Sequence, residues 1–110
     1  MKQHTQIIPV PMGTATEFKI TVNVGYAQKC VTNIQLNGVL VASLPNDVAQ
    51  PIHVKAGDIL ELISTVTDLP LNPNLFYVKH LITPGDHTAE YNDAVSDGES
   101  ATYTTEFDFF

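Results

Sequence analysis

The chain has no tryptophan, no arginine and only one cysteine among its 110 residues. Without a second cysteine no disulfide can form within the chain, so the fold has to be held by its core. Arginine is the side chain best suited to bidentate contacts with phosphate and guanine. Its absence, together with a formal net charge of −7, argues against nucleic acid as a partner.

Long hydrophobic runs are missing as well. The strongly apolar stretch Ile59–Ile63 has the length of a strand and is interrupted by Glu61, whereas a membrane helix needs about 18 apolar residues. The first ten residues lack the apolar segment and small-residue cleavage site of a signal peptide. We therefore expect neither a membrane span nor a signal peptide, and the sequence leaves the localisation open.

The clearest pattern is the alternation of apolar and polar side chains over residues 16–26 and 101–109. A period of two is typical of a strand with one face on a core and the other in water. Both segments are therefore predicted to be strands. The residues predicted to share the apolar faces are Phe18, Ile20, Val22, Val24, Tyr26, Ala101, Tyr103, Thr105, Phe107 and Phe109.

A tight hairpin is predicted at Asn37-Gly38, because this dipeptide accepts the positive φ angles of a type I′ turn. The flanking strands are Val31–Leu36 and Val39–Leu44, and a polar turn over residues 45–50 follows. Other strand-like runs are separated by proline- and glycine-containing turns, at Thr5–Val10, Ile52–Val54, Ile59–Thr67, Leu75–Ile82 and His87–Tyr91. Pro9 and Pro11 place the first of these at a sheet edge.

About eight short strands without an amphipathic helix predict an all-β fold, a two-sheet antiparallel sandwich formed by a single domain over residues 1–110. A small barrel is the alternative. Immunoglobulin-like and jelly-roll strand orders both fit, because the order depends on long-range pairing, and we favour the immunoglobulin-like order.

The acidic residues are concentrated at the C-terminal end. Residues 1–79 carry five lysines and five acids, whereas residues 80–110 carry seven acids and no lysine. Asp93, Asp97 and Glu99 lie close together in a predicted loop, and calcium is the cation that suits several carboxylates on a flexible loop. A weak, irregular calcium site at these three residues is one hypothesis, and a solvated acidic face is the other.

A second candidate site is the proline-stiffened loop 68–74, which carries apolar and amide side chains. Stiff backbone lowers the entropy lost on binding, so the loop is predicted to contact a ligand or partner. The alternative is a crossover whose leucines cap the core. The predicted contact residues are Asp68, Leu69, Leu71, Asn72, Asn74 and Tyr77.

Enzyme motifs are absent. His80, His87 and Glu90 flank one turn, but their spacing matches no zinc pattern, and we expect the four histidines on the surface at strand ends. Cys30 is predicted to be a buried structural side chain. The serines lie in no nucleophile elbow. No catalytic residue and no cofactor other than the weak calcium candidate is predicted.

Two functions remain from different classes. The first is a non-enzymatic structural or protein-interaction module, which binds a protein partner or copies of itself through sheet edges or loops. The second is a sandwich that binds carbohydrate or calcium with loops at one end, for which tyrosines would supply stacking surfaces.

Overall fold

The computed structural model of the protein describes residues 2–110, which form nine strands. The strands are β1 Lys2–Val10, β2 Glu17–Val24, β3 Lys29–Leu36, β4 Val39–Pro45, β5 Val48–His53, β6 Ile59–Thr67, β7 Leu75–Thr83, β8 His87–Ala94 and β9 Ser100–Phe109. One sheet has the order β1-β9-β6-β3-β4 and the other the order β5-β2-β7-β8. The prediction of an all-β, two-sheet sandwich is therefore confirmed.

One pairing differs from the predicted antiparallel arrangement. β1 runs parallel to β9, from Lys2 beside Ala101 to Val10 beside Phe109. β1 and β2 belong to different sheets, so the chain crosses between the sheets after β1 instead of turning back in a hairpin. The first strand consequently lies beside the last one. It occupies a sheet edge, as Pro9 and Pro11 predicted.

The core is built from the inward faces of both sheets. Phe107 and Phe109 are buried, as predicted, and the Phe109 ring lies 5.1 Å from that of Phe18 on the opposite sheet. Cys30 is buried too, and burial raises the pKa of its thiol, which suits a structural side chain. Tyr26 was wrongly predicted to face the core, because the strand ends at Val24 and Tyr26 lies in the following turn, 45% exposed.

The hairpin at Asn37-Gly38 is confirmed, with φ values of 52° and 80°. β4 contains a bulge: Gln35 pairs with Leu40 and Ile34 with Ala42, which leaves Val41 without a partner on β3. The predicted polar turn over residues 45–50 is shorter than expected, since β5 begins at Val48 and pairs with Val22. No helix within residues 2–110 is long and apolar enough to cross a membrane.

Candidate functional site

Four loops meet at one end of the sandwich, which we call the loop end. They comprise residues 25–28, 46–47, 68–74 and 95–99, the connections that follow β2, β4, β6 and β8. The predicted contact loop and the predicted calcium loop are therefore neighbours. Backbone bonds join them directly, from the Asp68 amide to the Glu99 carbonyl at 3.0 Å and from the Val95 amide to the Asn74 carbonyl at 2.9 Å.

A buried amide organises the loop end. Gln28 is only 4% exposed. Its Nε2 donates to Asp68 Oδ1 at 2.8 Å and to the Pro73 carbonyl at 2.6 Å. Its Oε1 accepts from the Leu69 amide at 2.8 Å. Asp68 is equally buried and also accepts from the Gly98 amide at 3.3 Å. Because buried polar groups are costly unless they are paired, these bonds hold three loops in one arrangement.

The surface of the loop end carries residues with a strained backbone and exposed side chains. Tyr26, Ala27, Asn46 and Leu71 have φ between 52° and 74°, a region that costs a residue with a Cβ about 1–2 kcal/mol. Leu71 is exposed to its full extent. A strained backbone that presents an apolar side chain to water adds nothing to the core, so Leu71 does not cap the core, whereas Leu69 is half-buried.

A shallow pocket of about 270 Å³ lies between the two loops. Its lining residues come from the predicted contact loop and from the predicted calcium loop: Asp68, Leu69, Pro70, Leu71, Asn72, Asp97 and Gly98. Asn72 is tied back by a bond from its Nδ2 to the Ala27 carbonyl at 3.0 Å. The pocket therefore has a preformed apolar wall with a carboxylate at its rim.

Tyr77, also predicted as a contact residue, is not part of this pocket. It lies half-buried on the outer face of β7, and burial followed by the nearby Glu90 raises the pKa of its phenol. Its carbonyl accepts from the Gly25 amide at 2.8 Å, and a Cβ at Gly25 would lie 2.8 Å from the Cβ of Tyr77. Tyr77 therefore supports the 25–28 loop from below.

The three calcium candidates have separate partners. Asp93 accepts from the Tyr103 hydroxyl at 2.5 Å and lies 3.1 Å from His4 Nε2. Burial, followed by the bond to Asp93, raises the pKa of the Tyr103 phenol. Glu99 accepts from the Ser96 amide at 2.9 Å, and Asp97 lies at the pocket rim. Within residues 2–110 no group of three His, Cys, Asp or Glu side chains is placed to hold a metal.

The histidines do not form a site across the predicted turn. His80 is completely buried in the middle of β7, so the expectation of a surface position is wrong for this residue. His87 is half-buried at the start of β8, and Glu90 is exposed on the same strand. The side chain of His80 lies on the inner face, because its neighbours in the alternation, Val78 and Ile82, are core residues.

His80 lies in a buried hydrogen-bond chain. Ser64 Oγ is 2.7 Å from its Nε2, and Thr105 Oγ1 is 2.7 Å from its Nδ1. Beyond them, Thr32 contacts Ser64 at 2.7 Å and Tyr91 contacts Thr105 at 2.8 Å. Burial lowers the pKa of His80 to about 3, so the imidazole is neutral at pH 7.

The donor and acceptor roles along these hydrogen bonds follow from Tyr91, the last residue in the series. The Tyr91 hydroxyl donates its proton to the Thr104 carbonyl at 2.7 Å, so it must accept from Thr105. Thr105 then accepts from His80 Nδ1–H, and Ser64 donates to Nε2. A serine hydroxyl that donates to a histidine resembles a nucleophile and its base, but Ser64, His80 and Thr105 have no exposed surface through which a substrate would reach them.

The sequence did not predict that Gln28 is buried or that the core contains polar side chains such as His80. Gln28 carries no local signal, since a glutamine in a turn is ordinarily exposed. The burial of His80 could have been predicted from the alternation Phe76, Val78, His80, Ile82. Comparison with known proteins finds no matching family model, no matching curated protein and no matching solved structure.

Proposed function

We propose that the chain is a non-enzymatic protein-interaction module that binds its partner through the loop end. The observation that carries the proposal is Leu71, fully exposed at φ 74° on a loop held from below by the buried Gln28–Asp68 pair. Local strain persists where the surrounding structure enforces it, and it clusters at functional sites. A leucine held in water on a preordered loop can be buried by a partner with little loss of conformational entropy.

Rigidity makes the loop end suited to binding. Residues 68–74 are anchored to the 25–28 loop through Gln28 and to the 95–99 loop through Asp68. Since these contacts already order the loops in the free protein, little conformational entropy is lost on association. The neighbouring pocket offers a concave surface beside the protruding leucine.

The strand order supports an immunoglobulin-like interpretation. β3, β6 and β9 are neighbours in one sheet and β2 pairs with β5 in the other, which corresponds to the C-F-G and B-E neighbours of that fold. The β7–β8 hairpin is then an insertion beside β2. In this assignment the 25–28 and 95–99 loops lie at the end that carries the binding loops of antibody variable domains.

The test compares Leu71→Asp with Ile7→Asp, which places the same charge at another exposed residue, 63% accessible on β1. Tagged proteins are cross-linked in the cells that produce the chain, and the captured proteins are quantified. We expect proteins bound by the wild type to be lost with Leu71→Asp and retained with Ile7→Asp. Identical recovery with both variants would show that the loop end is not the contact surface.

Carbohydrate binding is the second candidate, and one observation favours it. Tyr26 is 45% exposed and borders a pocket of about 280 Å³ together with Asn92 and Asp93. A tyrosine face beside amide and carboxylate groups is a suitable surface for a sugar ring. Binding on a glycan array that disappears with Tyr26→Ala would favour this function, and an array without any signal would eliminate it.

A further inference from the structure

The Asn37-Gly38 turn combines a chemically reactive sequence with a tightly held side chain. An asparagine deamidates when the backbone nitrogen of the next residue attacks its side-chain carbonyl carbon, and a glycine leaves that nitrogen unshielded because it has no side chain. Asn37 is the only one of the seven asparagines that precedes a glycine. The turn is exposed to water and lies at the opposite end of the sandwich from the loop end.

Both polar atoms of the Asn37 side chain are bonded to the segment that leads into β6. Nδ2 donates to Asp58 Oδ1 at 3.0 Å, and Oδ1 accepts from the Ile59 amide at 2.9 Å. The backbone amide of Asn37 donates to the Ile59 carbonyl at 2.8 Å. Three hydrogen bonds therefore hold the side chain and the backbone of Asn37 against the same two residues.

Asp58 is itself fixed in position. It is buried, its Oδ2 accepts from the Lys55 amide at 2.9 Å, and its carbonyl accepts from the Phe109 amide at 3.0 Å. The bond from Asn37, followed by the bond from Lys55, lowers the pKa of the Asp58 carboxyl. The side chain of Asn37 thus donates to an ionised carboxylate, and such charge-assisted hydrogen bonds are stronger than neutral ones.

The geometry of the turn also keeps the reacting atoms apart. Asn37 and Gly38 have φ of 52° and 80°, as in a type I′ turn, in which ψ of the first central residue is about +30°. At this ψ the Gly38 nitrogen lies nearly opposite the Asn37 Cβ across the Cα–C bond, whereas ring closure needs the two on the same side. The backbone of Asn37 must therefore rotate first, and its bonds to Asp58 and Ile59 oppose that rotation.

We propose that Asn37 is a deamidation site that the folded protein keeps unreactive and that local opening of the turn activates. In the reaction, the Gly38 nitrogen forms a bond to Asn37 Cγ and gives its proton to water, while Nδ2 leaves as ammonia. The resulting cyclic imide is opened by water to aspartate or isoaspartate. Local openings of this kind require much less free energy than global unfolding.

The product does not fit the site that held the amide. An aspartate at this position has a carboxylate oxygen where Nδ2 was, 3.0 Å from Asp58 Oδ1, and two carboxylates at this distance repel each other. Isoaspartate adds a methylene to the backbone of a two-residue turn whose twist is matched to its strands. Deamidation therefore removes the bond that kept the turn closed and makes the opening permanent.

The experiment follows the conversion of the Asn37 amide to a carboxyl group by peptide mass spectrometry, in the full chain at mildly alkaline pH. In urea, Asn37 should deamidate well before the other asparagines, whereas in the folded wild type it should stay intact over the same time. Asp58→Ala should raise the rate in the folded protein about tenfold, which corresponds to about 1.4 kcal/mol for a hydrogen bond to a charged group.

Val78→Ala is the matched control, because it weakens the core in the other sheet, away from the turn. It should leave the rate at Asn37 unchanged. Melting curves establish that both variants are folded. A folded wild type that deamidates as fast as the chain in urea, an Asp58→Ala variant no faster than the wild type, or equal acceleration by Val78→Ala would each overturn the proposal.

A second measurement tests the consequence of the reaction without waiting for it. Asn37→Asp should lower the melting temperature, because it places two carboxylates in contact. Combining it with Asp58→Asn restores one amide and one carboxylate to the pair and should recover most of the loss. An Asn37→Asp variant as stable as the wild type, or a double variant that is no more stable than Asn37→Asp, would contradict the inferred repulsion.

Discussion

The inner and outer faces of β9 differ in how their polar side chains are paired. The inner face is completely or almost completely buried, whereas the outer face is half-buried: Ala101, Tyr103, Thr105, Phe107 and Phe109 face inward, and Thr102, Thr104, Glu106 and Asp108 face outward. On the inner face, the hydroxyl of Thr105 bonds to both His80 and Tyr91. The two partners of Thr105 are neutral, whereas the phenolic hydroxyl on this face, that of Tyr103, donates to the carboxylate of Asp93.

The outer face instead brings carboxylates together. Glu106 lies directly opposite Glu61 on β6, and a hydrogen bond with Asp108, followed by burial and the two neighbouring charges, raises the pKa of Glu106. Asp108 Oδ1 is buried and has no hydrogen-bond partner within residues 2–110. The buried polar groups of the inner face therefore each have a hydrogen-bond partner, while the outer face brings carboxylates of like charge together at half-exposed positions, where water screens their repulsion.

The largest effect is expected from the inner face. Phe109→Ala should lower the free energy of unfolding by about 3–5 kcal/mol, since it removes a buried ring that packs on Phe18. Phe110→Ala is the matched control, because Phe110 is the next residue and is 66% exposed; it should change stability by less than about 0.5 kcal/mol. Urea denaturation measures both. Equal losses would show that the ring of Phe109 contributes no more to the core than the exposed ring that follows it.

Acid should destabilise the protein through His80. Its folded pKa of about 3 lies below the ordinary histidine value of 6.5, so the unfolded chain binds a proton that the folded chain does not. This part of the stability is complete above pH 6.5 and is lost as the pH falls below it, by about 2 kcal/mol at pH 5.

Denaturation at pH 7 and pH 5, together with the NMR signal of the imidazole, tests this prediction. His87→Gln, which removes a half-buried histidine at the start of β8, should retain the loss. An imidazole of His80 that becomes protonated between pH 7 and pH 5 would contradict the assignment.

A smaller effect of the opposite sign is expected on the outer face. Glu106→Gln should raise stability at pH 7 by about 0.5 kcal/mol, because it removes a like-charge pair across the strands. The raised pKa of Glu106 means that protonation relieves the repulsion in the folded protein, so the gain should shrink as the pH falls through that pKa.

Glu90→Gln is the control for this variant, since Glu90 faces Lys79 and not another acid. It should leave stability unchanged or slightly reduced. Melting curves of both variants at pH 7 and pH 4.5 give the comparison, and a Glu106→Gln variant less stable than the wild type at pH 7 would contradict it.

The smallest effect is expected from calcium. The carboxyl groups of Asp93 and Glu99 accept bonds from Tyr103 and Ser96, so 10 mM calcium should add no more to the melting temperature than sodium chloride of matched ionic strength. A site with a Kd on the order of 1 mM would instead add about 1.4 kcal/mol, or a few degrees. That outcome would restore the three-carboxylate site, which stays a prediction until it is measured.

Local pattern predicted the strands well. Phe107 and Phe109 followed from alternation, and the hairpin followed from Asn37-Gly38, since both depend on neighbours in sequence. The parallel pairing of Lys2 with Ala101 joins residues 99 positions apart, and no local pattern encodes it. Which strands pair over such a distance depends on which apolar faces pack against each other in the folded protein.

The candidate site was only partly predictable. The composition of the 68–74 loop predicts a contact region; Leu71 is exposed, and the contact itself stays a prediction. Gln28 lies 40 positions from Asp68, and its burial results from the carbonyls and carboxylate that three loops bring around it. The prediction for Tyr26 was wrong because the alternation continued past the point where Gly25 ends the strand.

The parallel pairing of β1 with β9 also has a mechanical consequence. A pulling force applied between Lys2 and Phe109 acts at opposite ends of this pair, since Lys2 lies beside Ala101 and Phe109 beside Val10. The force then runs along both strands and loads all their hydrogen bonds at once in shear, whereas a hairpin pulled from its two free ends opens one bond at a time. Tension along this axis is therefore resisted by the whole length of the ladder.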